Sequence, residues 1–397
     1  MAAHGTAQPK AYEHYLRGRG YLQAYDRQDS LDAAISEFAS SLESDPHFAL
    51  AHAGMGQAHL YRYTLTHLPA SLDAAGIACT RAADLDSRNP DGEICLGMLA
   101  NATGQHEDAV GHLEKALKLD TSRDESYREL AIAYKQLDRP ADAEALLKRA
   151  VSLRPQYWAP HKWLGWFYAS HGRYDEAAAH FKRVVELAPD SIDGYSNLGA
   201  VYVKQGKLGD AIDALERSIK IQPTASALNN VGALYFYQNK FSEAARSYEE
   251  AAQMTPYDYR IFGNLGEVYA QLEGKQADSR RNYSQALELA QQRLNANRGD
   301  SEVLLDAALY AAILGQTTKA EEYRKTGMKL PGQDPEKRFS SAVVLAELHQ
   351  DGRALAELDQ AVREGLPSSE IDGNSVWKRF AGNPRFLAIL DRAEKKK

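Results

Sequence analysis

At 397 residues the chain is roughly two to three times what one hydrophobic core organises, so it is either several domains or an array that grows by repetition. Its 44% hydrophobic content excludes disorder, and its Gly, Pro and Cys numbers exclude collagen-like and disulfide-framework chains. Lys and Arg total 47 against 54 Asp and Glu, a net charge of -7, so no bulk attraction draws the chain to phosphate backbones or anionic lipid and nucleic acid is not an expected partner.

No run approaches the roughly 18 apolar residues of a membrane span, and Met1 to Lys10 carries no apolar leader core, so the chain as written shows neither membrane insertion nor an export signal. Cys79 and Cys95 are the only cysteines. They read as buried small hydrophobes, because two thiols without histidines at ligand spacing make no zinc site.

Residues 1–9 read as a disordered tail. Beyond them a small residue preceded by an apolar one recurs at Gly56, Gly97, Ala131, Gly165, Gly199, Gly232, Gly266, Ala308 and Ala342, in steps of 41, 34, 34, 34, 33, 34, 42 and 34. Three residues later most units carry a ring (Tyr134, Tyr168, Tyr202, Tyr235, Tyr269), and twelve later an alanine (Ala109, Ala143, Ala177, Ala211, Ala244). An apolar residue follows four further on (Leu113, Leu147, Phe181, Leu215, Tyr248), and Pro155, Pro189, Pro223 and Pro256 close their units.

Each unit therefore predicts two amphipathic helices. Tyr195, Leu198, Gly199 and Tyr202 make one apolar stripe by the i, i+3, i+4, i+7 rule. The recurrent Gly and Ala mark close approach of the two axes, turns such as Gln205-Gly206-Lys207 and Gln238-Asn239-Lys240 separate the helices, and the proline stops the second. In chain order the units lie near 10–48, 49–89, 90–123, 124–157, 158–191, 192–224, 225–258, 259–300, 301–334 and 335–367, with a helical cap and basic tail over 368–397. The first carries an extra stretch at Tyr25 to Ser30, the second about seven added residues around Tyr63 to Ala70, and the eighth a lengthened second helix from Ala277 to Asn297. The ninth has Arg324 and Gly327 where an apolar residue and Ala are usual. Contacts are expected between neighbouring units only, with the two insertions and the longer helix near Ala277 to Asn297 bulging from the solenoid and the last of these altering its path.

This pattern resembles the tetratricopeptide repeat family, over nearly the whole chain. The resemblance implies an all-α, right-handed superhelical solenoid of about ten helix-turn-helix units. Narrower similarity, in Tyr12-Glu13-His14-Tyr15-Leu16-Arg17-Gly18-Arg19-Gly20, Ala49-Leu50-Ala51-His52-Ala53-Gly54 and Asn383-Pro384-Arg385-Phe386-Leu387-Ala388-Ile389-Leu390, is to the arrays of bacterial serine/threonine kinases and related signalling proteins. There the array follows a kinase or winged-helix output domain, often across one membrane span. That output domain is absent from this sequence, and the compartment is left open: cytoplasmic, or the extracytoplasmic part of a membrane-anchored bacterial protein.

Catalytic and cofactor patterns are lacking. Gly199 to Lys207 fails the phosphate-loop spacing, with Leu208 where Ser or Thr is needed. His106 and His112 lie about 240° apart on a helix and cannot share a metal. No nucleophile–base pair, cofactor or metal site is expected, and the chain reads as no enzyme. Asn197, Asn230 and Asn264 recur two residues before the seam glycines, about 200° of helical rotation away, which directs them to the concave face. In the related arrays an asparagine ladder on this face bonds peptide main chain; the alternative is that these amides solvate the groove or bond to a neighbouring helix. Trp163 and Trp166 are the candidate aromatic anchors, joined by Lys162, Lys204, Asn229 and Tyr237. Glu125, Glu129 and Asp193 share that surface and make its charge mixed. The expected function is a non-catalytic scaffold that holds a peptide or protein partner in the concave groove, as the interaction part of a bacterial signalling protein. A free-standing assembly scaffold and an RNA-binding helical-repeat protein are the alternatives.

Overall fold

The computed structural model describes residues 5–331, 334–372 and 374–394. Lys395 to Lys397 of the expected basic tail, and Met1 to His4 of the expected disordered tail, lie outside them. Every regular element among the described residues is helical, and the helices pack as consecutive hairpins in two compact units, one up to Ser218 and one from Ile219.

In the first unit α1 (Pro9–Tyr21) pairs with α2 (Gln28–Ser44), α3 (Ala49–Thr66) with α4 (Pro69–Leu85), α5 (Pro90–Ala102) with α6 (His106–Leu119), α7 (Asp124–Gln136) with α8 (Pro140–Leu153), and α9 (Trp158–Ser170) with α10 (Tyr174–Leu187). The last hairpin joins α11 (Ile192–Lys204) to α12 (Leu208–Ile221). In the second unit α13 (Ala225–Tyr237) pairs with α14 (Phe241–Met254), α15 (Tyr259–Gln271) with α16 (Gln276–Ala296), α17 (Ser301–Ile313) with α18 (Thr317–Lys329), and α19 (Pro335–Glu347) with α20 (Asp351–Glu364). The short α21 (Ser368–Asp372), a 3-10 turn over Ser375–Phe380 and α22 (Pro384–Glu394) follow.

The seam glycines explain why the hairpins close. A Cβ on Gly97 would lie 2.5 Å from Leu113 Cγ, and one on Gly199 2.8 Å from Leu215 Cγ, so a larger residue would force the paired helices apart. Ala109, Ala143, Ala177, Ala211 and Ala244 are fully buried at the same seams. The loss of helix propensity at glycine, about 1 kcal/mol, is offset by this packing. Gly206 holds φ +72° in its turn, where the Lys207 amide donates to the Tyr202 carbonyl (2.9 Å) and closes the helix C-terminus. Asp138, Asn239 and His349 adopt the same left-handed conformation in other hairpin turns. Helices α8, α10, α12 and α14 end at Leu153, Leu187, Ile221 and Met254, each two residues before its proline.

The irregular stretches depart from the expected bulges. Around Tyr63 to Ala70 the added residues lengthen α3 to 18 residues and α4 to 17, so they are absorbed as extra helical turns. Residues 22–27 turn inward. Leu22 and Tyr25 are buried, and Tyr25 stacks on Tyr61 with ring centroids 4.2 Å apart and tilts against Trp158 at 4.9 Å. Trp158 Nε1 donates to the Gln23 carbonyl (3.0 Å), Trp163 Nε1 to the Tyr25 hydroxyl (3.3 Å), Ser191 Oγ to Asp26 (3.1 Å), and Arg27 pairs with Asp190 (3.1 Å). The first hairpin thus meets the fifth and sixth, which corrects the expectation of contacts between neighbours alone. The stripe of rings at this loop supplies enough apolar area to bridge hairpins far apart in sequence.

Cys79 and Cys95 are fully buried and joined as a disulfide between α4 and α5, Cα atoms 5.2 Å apart, where two separate small hydrophobes were expected. Gly56 of α3 makes room for the sulfurs, since a Cβ there would lie 2.4 Å from Cys95 Sγ and 2.6 Å from Cys79 Sγ. In the ninth repeat Arg324 is buried in an apolar position because its charge is answered: it donates to Glu321 (3.0 Å) and to Ser341 Oγ (3.0 Å).

Candidate functional site

The first helices of hairpins two to six carry residues in matching register. Glu129, Trp163 and Asn197 are 34 residues apart in turn, as are Met98, Ile132 and Trp166. Successive repeats therefore place these side chains side by side, and they line one cavity of about 430 Å³ within the first unit. Leu60, Tyr61 and Leu65 of α3, Asn101 of α5, and Lys162 and Asp193 complete the wall. Tyr25 and Asp26, from the inward loop, close it on one side.

The lining is dominated by rings. Trp163 and Trp166 meet edge to face at 5.9 Å, and Trp166 remains 39% exposed, its ring open to a ligand on one face while Lys135 Nζ sits 3.5 Å from its centroid. Burial pushes the Tyr25 hydroxyl up to about 12, against the opposing pull of Arg128, so it stays neutral as a hydrogen-bonding group.

Charged groups at the cavity are mostly spoken for. Lys162 Nζ pairs with Asp193 at 2.5 Å, and Asn101 Nδ2 donates to the Glu129 carboxylate at 3.3 Å. Burial raises the carboxyls of Asp26 and Glu129 above their ordinary range, opposed by Lys162 and by Arg128 respectively. Behind the wall Arg128 is fully buried and donates from Nε to Asp124 (3.1 Å). Burial also works to raise Glu125, but Arg128, Arg19 and Arg123 outweigh it and hold that carboxyl down at about 2. Among the described residues no group of three or more His, Cys, Asp or Glu could hold a metal ion.

Of the residues singled out in the sequence, Lys162, Trp163, Trp166 and Asn197 come together in this cavity. The Asn197 amide donates to the Asp193 carbonyl one turn back (2.8 Å), which leaves its oxygen as the group turned to a ligand. Lys204 is exposed near the end of α11 and lines no cavity described here. In the second unit Asn229, Asn230 and Asn264 line a cavity of about 650 Å³ with Asp258, Arg260 and Tyr310, where Asn264 Nδ2 donates to Asn229 Oδ1 (2.9 Å). Tyr237 borders a separate, smaller cavity that Asn264 also reaches. Tyr25, Asp26, Tyr61 and Asn101 escaped the sequence reading. Tyr25 and Asp26 lie in a stretch outside the period; the 34-residue register of Met98, Ile132 and Trp166 was the available signal for that row.

Consecutive helical hairpins with small residues at each seam and a ligand-sized cavity on their first helices define a helical-repeat protein. The chain carries tetratricopeptide repeats: residues 95–157, 128–192, 161–224 and 190–256 match sequence profiles of that repeat. Repeats of this family are generally non-catalytic scaffolds for protein–protein interaction. No curated protein matches the sequence significantly. Among solved structures, a monomeric variant of IFIT1 with Gppp-AAAA is 19% identical at a TM-score of 0.55, covering 81% of this chain and 72% of that one. The human IFIT1 dimer with m7Gppp-AAAA is 18% identical at 0.54, covering 80% and 72%. PilF of Pseudomonas aeruginosa is 21% identical at 0.48, covering 57% of this chain and 99% of that one. At these identities the IFIT1 likeness is one of fold. No helix among the described residues is long and apolar enough to cross a membrane.

Proposed function

We propose that this protein is a non-catalytic interaction module that holds a peptide segment of a protein partner in the cavity of its first unit. The observation that carries the reading is the cavity itself: Tyr25, Tyr61, Trp163 and Trp166 flank a partly open space of about 430 Å³ in which a bulky apolar side chain is shielded from much of the water. Buried aromatic pockets of this kind are where binding energy concentrates in protein interfaces. The Asn197 carbonyl and the Lys162–Asp193 pair at its edge supply the few polar groups that orient a peptide main chain. The likeness to the arrays of bacterial signalling kinases supports a role as the interaction part of such a protein, with a free-standing assembly scaffold as the alternative.

RNA, present in the IFIT1 structures, fits less well. The cavity carries Asp26, Glu129 and Asp193 against Lys162, in a chain of net charge -7, which repels phosphate.

The test is selection of a random peptide display library on the wild type and on Trp163→Ala/Trp166→Ala, with melting temperatures measured for both. The expected result is a consensus containing a large apolar residue, bound by the wild type and weakened by roughly thirtyfold or more in the double variant. Absence of any consensus, or salt-sensitive retention of single-stranded RNA in its place, overturns the reading.

A further inference from the structure

A second, smaller cavity lies wholly within the second unit. It has a volume of about 210 Å³ and is walled by Phe236 and Tyr237 of α13, Tyr248 of α14, Glu267 of α15 and Phe339 of α19. Tyr248 is buried at its floor, and Tyr237, 56% exposed, stands at its mouth. Glu267 is the chemically unusual member. It is half-buried in the wall, and no hydrogen bond or ion pair to its carboxylate is made among the described residues. Burial, and then the Glu347 carboxylate beyond it, push its proton affinity up. Glu347 has Arg379 and His349 to offset its own burial, whereas Glu267 has no such counter-charge. The exposed Glu370 stands at the rim and adds to the negative field felt by Tyr237.

An unpaired carboxylate held partly out of water is left short of solvation, and a positive group seated in the cavity would answer it. The other walls are aromatic faces, which attract cations by their quadrupoles. The volume suits one charged head group with part of an alkyl stem and is too small for a folded ligand. We propose that this cavity is a binding site for a monovalent organic cation, an ammonium or guanidinium group, with Glu267 as its counter-ion and Phe236, Tyr237 and Phe339 as its walls. The cation comes either from a basic side chain of a bound peptide or from a free alkylamine. The site is independent of the cavity in the first unit and does not rest on the function proposed for it.

The experiment uses the full chain and saturation-transfer NMR titrations with three probes: n-butylammonium, the tripeptide acetyl-Gly-Lys-Gly-amide, and the same tripeptide acetylated on the lysine amine. Both cations should bind, and Glu267→Gln should weaken them by roughly tenfold or more while the melting temperature holds or rises, because a half-buried charge has been removed. Tyr237→Ala, at an exposed position, supplies a second variant that should also weaken binding. Tighter binding of the tripeptide than of n-butylammonium assigns the site to a peptide side chain, and binding of n-butylammonium alone assigns it to a free amine. The proposal is overturned if neither cation binds, if the acetylated tripeptide binds as well as the charged one, or if Glu267→Gln leaves the titrations unchanged. Trp163→Ala, in the other unit, should leave all three titrations as they are, so failure of this site and failure of the peptide cavity are separate results.

Discussion

Replacing Tyr25 by alanine tests whether the inward loop holds the first unit closed. The ring is 6% exposed, stacked on Tyr61 at 4.2 Å, tilted on Trp158 at 4.9 Å, and its hydroxyl accepts from Trp163. Removing a buried aromatic ring costs about 3–5 kcal/mol in transfer and cavity terms. Here the vacated space opens onto the existing cavity and fills with water, so the lower half of that range, about 3–4 kcal/mol, is expected. In a unit of this size that corresponds to a fall in melting temperature of roughly 6–16 °C. Tyr25→Phe keeps the rings and loses only the bond from Trp163, for about 1 kcal/mol or less. Urea unfolding followed by tryptophan fluorescence reads both variants, and a double-mutant cycle with Tyr61→Ala should return a coupling of about 0.5–1.5 kcal/mol. A loss below about 1 kcal/mol for Tyr25→Ala, or no coupling to Tyr61, would refute the argument that the packed Tyr25 ring is what holds this loop inward.

Gly56→Ala places a methyl group against two sulfurs that are locked to each other, and should destabilise the first unit by about 1–3 kcal/mol in the same urea assay. The Cys79–Cys95 bond closes a span of 16 residues, and the Cys79→Ala/Cys95→Ala variant should lose about 3 kcal/mol relative to the oxidised protein. Burial raises the Asp306 carboxyl from 3.8 to about 6, with Tyr259 donating to it at 3.0 Å. The folded second unit therefore holds this proton more tightly than the unfolded chain, a stabilisation fully present below pH 3.8 and lost as pH rises through about 6. Asp306→Asn should accordingly raise stability above pH 6 by about 3 kcal/mol at most and flatten the profile between those values, as read by denaturation at a series of pH values. Glu321 behaves oppositely. Although burial works against it, hydrogen bonds from Arg353, Arg324 and Gln350 hold it down at about 2, so its contribution is present above 4.5 and is lost as pH falls toward 2; Glu321→Gln should remove that acid-side slope.

What the sequence made legible follows from what a repeat must conserve in its own geometry. Gly97, Gly199 and Gly232 each face a bulky residue of the next helix at distances that exclude a Cβ, so the period of 34 was a record of packing and could be read directly. The prolines two residues past α8, α10, α12 and α14 marked helix ends for an equally local reason. Lys162, Trp163, Trp166 and Asn197 could be placed on one surface because helical rotation fixes direction from spacing. Tyr25 could not, since nothing within Tyr25 to Ser30 states which distant helix the loop meets; that is decided by the fit of its ring against Tyr61 and Trp158. The Cys79–Cys95 bond was hidden likewise, because spacing along the chain does not tell how α4 and α5 face each other.

The closure made by Tyr25 has a consequence for synthesis. Its partner Trp163 lies 138 residues further along the chain. At about 5–20 residues per second of translation, the first hairpin waits roughly 7–28 s before that partner exists. During this interval the Tyr25 ring lacks Trp158 and its hydroxyl lacks Trp163, so the face turned to the fifth hairpin stays in water. A stack of hairpins coupled only to their neighbours would settle one by one as it emerged; this one carries an unfinished apolar edge until its fifth hairpin is made. The nascent chain is therefore most exposed to aggregation, and to capture by chaperones, in the interval between the making of Tyr25 and of α9, and variants that weaken α9 should lower soluble yield more than variants of equal cost in α13.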